Sequence, residues 1–515
     1  MTMLGWINRN RSDYTLADEK NAKAFLAELP AQDPYKALEE LAYWLDATRT
    51  AEGLKPLRVF EIVDALDNAG KPHQRKLSQE YVSAGVRLQK FQETRIWGAV
   101  VEFWRQLGAA YEFCLAQTLP GVSGGGALKP HIPTIAARAL RALTLELKWA
   151  LMRYGPVDPT LWGRLGALYS QAEERGYALK PVDVYPGPHG DSTIQREYLK
   201  ALMLWMSATD SLLPRPLEVA ERVVAHFSDR FQMQRQPGKG CHGTVDLLSA
   251  KPPVRMVARV TPTPSLRYFG PGAAGEVVEE VIDKIMQSGA IPSTINLGGT
   301  YEPAFVITVL RHLALHWSSA PPSRQQTRRR SVARIHVVHD FDDVVSIIAG
   351  ESKDLDFQQN METWMVENES EGGYGALIPD SATDWLRVGT LLGIKQADGN
   401  AWGVGIVRRL ANGPNNQRYV GIQTLAKGGA RVKLFGSGPK AGAGGGEDAV
   451  LLPSSSADST GSGELSLLMR LGTFSPKQSL QMRAYERDYL LVPKQLVEGG
   501  QDFDMAKFRV LSRAS

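Results

Sequence analysis

Between Ser323 and Gly375 the chain concentrates residue types that can bind an anion. Five arginines (Arg324, Arg328, Arg329, Arg330 and Arg334) fall within eleven residues, just ahead of an apolar, β-branched stretch that predicts a strand. Arginine presents five N–H donors in a flat fork, pairs bidentately with phosphate, stacks on flat rings and keeps its charge at any working pH. The R-x-x-x-R spacing of Arg330 and Arg334 at the start of a strand lets both forks reach one ligand. A polar, glycine-ended turn follows, Asn368-Glu-Ser-Glu-Gly-Gly373. Asn368 and Ser370 are two apart, so extended backbone puts them on one face. An asparagine amide donates and accepts at once, which suits the edge of a purine. Gly372 and Gly373 allow positive φ and a close turn around a ligand. The two halves predict one pocket for a ligand with phosphates and a hydrogen-bonding ring, a nucleotide.

The order of these motifs resembles the PilZ family, small β-barrels that bind the bacterial second messenger cyclic di-GMP. The motif pair of that family, R-x-x-x-R followed by [D/N]-x-S-x-x-G, reads here Arg330-Ser-Val-Ala-Arg334 and Asn368-Glu-Ser370-Glu-Gly-Gly373. The downstream segments Leu386-Arg-Val-Gly389, Ala401 to Arg408 and Tyr419 to Gln423 are similar to the remaining barrel strands. Two departures stand out: asparagine replaces the commoner aspartate, and the longer gap from Arg334 to Asn368 predicts an inserted loop at 349–360 that would lie near the pocket. The resemblance implies that Arg330 and Arg334, helped by Arg329, hold phosphates and stack on guanine. It implies that Asn368, Ser370 and Gly373 line the other side. The function implied is that of a cyclic di-GMP effector, in which an arginine linker orders on binding and changes a protein–protein interaction. The output would be motility, type IV pili or surface adhesion, through an unidentified protein partner of that machinery. The alternative is a ligand-free PilZ-like scaffold; the presence of both arginines favours the effector.

The rest of the 515 residues must carry and couple this module. Hydrophobic content of 43% and charged content of 22% are those of a globular chain with several domains. The net charge of +4 is too small to imply nucleic-acid binding, and few aromatics interleave with the arginine run. Two cysteines, Cys114 and Cys241, give no disulfide framework and fit a reducing cytoplasm. No apolar run is long enough for a spanning helix, and the first residues lack the apolar core of a signal peptide.

Residues 1–230 predict an all-α bundle or set of helical hairpins. Asp33-Pro34 and Asp158-Pro159 read as helix starts. Amphipathic segments follow at Leu77–Leu115, Pro133–Met152 and Thr193–Ser207, and another opens at Pro216. Breaks are expected at Gly70-Lys-Pro72, Pro120–Gly126, Gly155-Pro156 and Pro186–Gly190. Residues 231–320 predict a small α/β segment coupling the helices to the barrel, with strands at Val245–Leu248 and Val254–Val260 and helices at Gly275–Met286 and Pro303–Trp317. Residues 321–435 predict the PilZ-like β-barrel, and 436–515 a β extension with flexible loops. The fold class expected is multidomain α+β. Enzymatic motifs are missing: no G-x-S-x-G elbow, zincin or Rossmann fingerprint occurs. Gly238–Gly243 lacks the order of a phosphate loop, and His336 and His339 face opposite sides of a strand. The chain is therefore expected to need no metal or cofactor and to catalyse no reaction.

Overall fold

The computed structural model describes residues 15–84, 89–185, 190–256, 261–321, 328–351, 361–379, 385–413, 417–436, 446–453, 463–484, 487–500 and 502–512. The chain is a multidomain α+β protein of two compact units, Met1–Ser323 and Arg324–Ser515.

The first unit is built on helices α1 (Glu19–Glu28), α2 (Pro34–Thr50), α3 (Pro56–Ala84), α4 (Lys90–Ala116), α5 (Ile132–Leu151), α6 (Leu161–Glu174), α7 (Ile194–Met206) and α8 (Pro214–His226). Their starts follow local chemistry. Asp33 accepts from the Lys36 N–H at 3.1 Å with Pro34 in the first turn, and Thr193 accepts from the Arg196 N–H at 3.1 Å. Asp158 accepts from Thr160 instead, so α6 begins at Leu161, slightly later than its Asp-Pro signal. Helix α8 begins at Pro214, ahead of the expected Pro216. Helix α5 is buried almost all round among α4, α6 and α7, and takes the charged Arg138, Glu146 and Lys148 into the interior with it.

The expected break at Gly70-Lys-Pro72 does not occur, because α3 runs unbroken through Pro72. Gly70 is there for packing: a β-carbon on it would lie 2.3 Å from the Phe103 ring. The Leu77–Leu115 segment divides between α3 and α4. Parts of two other predicted features, Pro186–Gly190 and Val254–Val260, lie outside the described residues.

Residues 231–320 are not a separate coupling segment. Strands β1 (Gln232–Gln234), β2 (Gly243–Asp246), β3 (Val254–Arg255) and β4 (Leu266–Gly270) form a sheet of order β1-β4-β2-β3, followed by α9 (Ala274–Ser288) and α10 (Pro303–Trp317). Phe269, Val278, Ile282, Leu310 and Trp317 belong to the same continuous core as the eight helices. Trp317 is fully buried against Phe227 and Phe231, and its indole N–H donates to Ser207 Oγ at 3.0 Å. A large ring whose polar edge is satisfied only by α7's end ties this segment into the helical unit.

The second unit contains strands β5 (Arg329–Arg330), β6 (Arg334–Val338), β7 (Glu362–Ser370), β8 (Gly373–Pro379), β9 (Leu391–Gln396), β10 (Gly403–Gly413) and β11 (Gln417–Ala426). They form one antiparallel sheet of order β5-β7-β6-β9-β10-β11-β8, which the β7–β8 pairing closes. The remaining strands are β12 (Ala430–Gly436), β13 (Glu447–Leu452), β14 (Glu464–Arg470), β15 (Leu480–Ala484), β16 (Arg487–Gly499) and β17 (Phe503–Ser512). They make a second, closed six-stranded barrel of order β12-β13-β14-β17-β16-β15. Ala430–Gly436 pairs with β13 and β15, so the division falls before 430 and not at 435. The predicted extension is thus a complete barrel that removes its own edges.

The insertion between β6 and β7 carries a short helix, α11 (Phe341–Ile348), where the sequence reading expected only strand and loop. Residues 352–360 of the predicted loop lie outside the described residues. Phe341, Val344, Val345 and Ile347 pack with Val404 and Ile406 of the first barrel and with Val450, Leu452, Leu468 and Phe503 of the second. Arg431 pairs with Glu351 at 2.6 Å, and Arg470 pairs with Asp342.

Candidate functional site

The two predicted motifs meet on one sheet edge. Strands β5 and β6 pair with the same edge of β7: Arg330 lies opposite Asn368, and Arg334 opposite Met365. They are one strand interrupted at Ser331–Ala333. Four steps separate Arg330 from Arg334, but only three separate Asn368 from Met365, so the extra residue bulges outward. The Ser331 N–H still donates to Glu367 O at 3.0 Å, and the Val366 N–H to Ala333 O at 2.9 Å. A matching irregularity falls between Val366 and Asn368 on the side facing β8. Bulges re-aim side chains, and this one leaves Val332, between the two arginines, 87% exposed.

Arg329, Arg330 and Arg334 are exposed, and no described carboxylate pairs with any of them. Asn368 and Ser370 do share one face, as their spacing predicts, at the end of β7. The turn itself is Glu371-Gly372, and Gly373 already begins β8. Ser370 lies opposite Gly373, and its hydroxyl donates to the Gly373 carbonyl at 3.4 Å.

Gly373 has the positive φ expected of it and also a structural role. Its φ is +152°, and a β-carbon would lie 2.0 Å from the Ile422 carbonyl oxygen. The glycine is required so that β8 can approach β11.

Two residues that the motif assigned no contact join the site. Arg328 donates through Nη1 to Asn368 Oδ1 at 2.5 Å, and so contacts the motif asparagine directly. Gly375 lies opposite Asn368, and a β-carbon there would come within 2.5 Å of Asn368 Oδ1 and 2.7 Å of Arg328 Nη1. The signal for it was a further glycine two residues beyond the motif, inside a strand, which marks close approach of a ligand or another chain.

Following the register across the sheet gives the geometry of the site. Arg330 pairs with Asn368, Asn368 with Gly375, Gly375 with Gly421, and Gly421 with Arg409. In-register neighbours of an antiparallel sheet project to the same face. The opposite face is the barrel interior, filled by Val366, Ala376, Val420 and Leu410. The outer face therefore carries a row with guanidiniums at both ends, one amide beside the first, and two residues without side chains between. Strand spacing puts Asn368 and Arg409 about 14 Å apart across this floor. Arg334 stands at the bulge beside it. Guanidinium forks at either end can pair with anionic groups, and the Asn368 and Arg328 side chains lie over the buried Gly375 between them.

Residues 20–237 match the family model described as the N-terminal domain of the cyclic-di-GMP receptor FimW, and residues 349–430 match that described as its middle PilZ domain. The second match includes Asn368, Ser370, Gly373, Gly375, Arg409 and Gly421, and begins after the arginine pair. No curated protein matches the chain. The two models lie in the same order as in the receptor and together cover more than half of the sequence, so the chain belongs to the FimW family of cyclic di-GMP receptors.

Proposed function

We propose that this protein binds cyclic di-GMP on the outer face of the first barrel, over Gly375 and Gly421, and passes the binding event to a protein partner. Arg330 and Arg334 hold phosphates and stack on guanine, with Arg329 adjacent. Asn368 and Ser370 read a guanine edge. Arg328 orients Asn368, and Arg409 meets the far end of the ligand. Gly373 serves by bringing β8 against β11. The observation that carries this reading is the register row from Arg330 to Arg409 with two glycines at its centre.

Binding neutralises Arg329, Arg330 and Arg334, which no described carboxylate balances, and that change in surface charge is what a partner can sense. The partner proposed belongs to motility or pilus machinery, and the location proposed is the cytoplasm. Both cysteines are free and buried, and no described helix is long and apolar enough to cross a membrane. Receptor action needs no catalytic group.

The test is calorimetric titration of Arg334→Ala and Arg330→Ala beside the parent. Each is expected to lose at least about a hundredfold in affinity for cyclic di-GMP, since each removes a charged fork from phosphate and ring together. Unchanged affinity in a folded variant would move the pocket elsewhere.

A further inference from the structure

The helical unit holds a cavity of about 340 Å³ that the reading above leaves unused. Its walls come from three parts of the chain: Arg75 and Ser78 on α3, Arg215, Glu218 and Arg222 on α8, and the loop Gly298–Tyr301. The charges there do not cancel. Lys148, buried, lies 2.6 Å from Glu218 and 3.1 Å from Glu221, and Arg222 Nε lies 3.3 Å from Glu218. Those two cations and two carboxylates balance. Arg75 and Arg215 then add two positive charges, and no described carboxylate lies within ion-pair distance of either. Arg222 engages Glu218 through Nε, and no described group accepts from its two terminal nitrogens. Arg75 and Arg215 thus leave the concavity with an excess of positive charge, which an entering anion offsets.

The loop is shaped to leave the space open. Asn296 Oδ1 accepts from the Gly298 N–H at 3.0 Å and turns the chain. Gly298 has φ +73°, and its backbone lies against the Arg222 guanidinium, where a β-carbon would sit 3.3 Å from Nε. Arg215 lies over the rings of Phe305 and Tyr301, at 4.7 and 5.6 Å, and those rings stack on each other at 5.8 Å. The aromatic pair fixes one guanidinium and gives the cavity a flat wall.

We propose that this cavity is a second ligand site, for a phosphate ester the size of a mononucleotide. Its phosphate sits among Arg75, Arg215 and Arg222, and its organic part lies against Tyr301. The cavity volume falls in the range of small-molecule sites.

The test uses the full chain carrying Arg330→Ala and Arg334→Ala, which disables the barrel face, titrated calorimetrically with 5′-GMP and with inorganic phosphate. The expected result is saturable 5′-GMP binding, stronger than that of inorganic phosphate, and weakened about tenfold or more when Arg75→Ala and Arg215→Ala are added. Both of these arginines are exposed, so the unfolding temperature should stay where it was. No saturable binding, or equal binding with and without Arg75 and Arg215, would overturn the site. Equal affinity for inorganic phosphate and 5′-GMP would overturn the mononucleotide assignment. Because the barrel arginines are absent throughout, neither outcome depends on the cyclic di-GMP reading.

Discussion

Two glycines of the first barrel, Gly375 and Gly373, do different work, and substitution separates them. The nearest atoms to a β-carbon at Gly375 belong to side chains, those of Asn368 and Arg328, and not to backbone. Gly375→Val should therefore leave the fold intact and block the floor, with cyclic di-GMP affinity falling at least about tenfold in calorimetry. At Gly373 the collision is with backbone, and the φ is one that L residues rarely adopt. Gly373→Ala should lower stability by roughly 2 kcal/mol or more, and any loss of binding should track the unfolded fraction in a denaturant melt. The motif alone could not divide these roles, because a glycine reads the same whether it admits a ligand or a neighbouring strand. The arginine pair and the Asn368–Ser370 face were legible because spacing alone carries them. Arg328, Gly421 and Arg409 were not, since their part depends on cross-strand register, which no local pattern encodes.

Elements repeat that division between local and distant causes. Helix starts such as Asp33-Pro34 are written in adjacent residues. The continuity of α3 through Pro72, and the helix within the insertion, depend on what packs against them. Phe341 of α11 is buried between the two barrels. Phe341→Ala should cost about 3–5 kcal/mol. The loss should appear as one shifted transition for the whole second unit, read by tryptophan fluorescence and circular dichroism together.

Helix α5 offers a pH prediction. Burial pushes the Glu146 carboxyl up to about 7, opposed by Arg164, whose Nη1 stands 3.6 Å away on α6. A carboxyl whose folded value is raised holds a proton that the unfolded chain releases. Its contribution is fully present below the ordinary carboxylate range and is lost as pH rises through about 7. Glu146→Gln should remove that decline, leaving the variant more stable than the parent by roughly 1–3 kcal/mol at pH 8, with the gap closing in acid. Equal pH profiles for the two proteins would contradict the assignment.

At the scale of the molecule, Met1–Ser323 and Arg324–Ser515 each have their own core. Calorimetric unfolding should resolve two transitions, with cyclic di-GMP raising only that of the second unit, by about 2.7 kcal/mol at a hundredfold excess over Kd. The central claim is that the row from Arg330 to Arg409 receives cyclic di-GMP. It is tested most directly by calorimetric titration of the full chain with cyclic di-GMP, with GTP and cyclic di-AMP as controls. Saturable heat for cyclic di-GMP alone, lost in Arg334→Ala, is the result expected. No saturable binding at tens of micromolar ligand by calorimetry and by a second method, or equal binding of the three nucleotides, would contradict it.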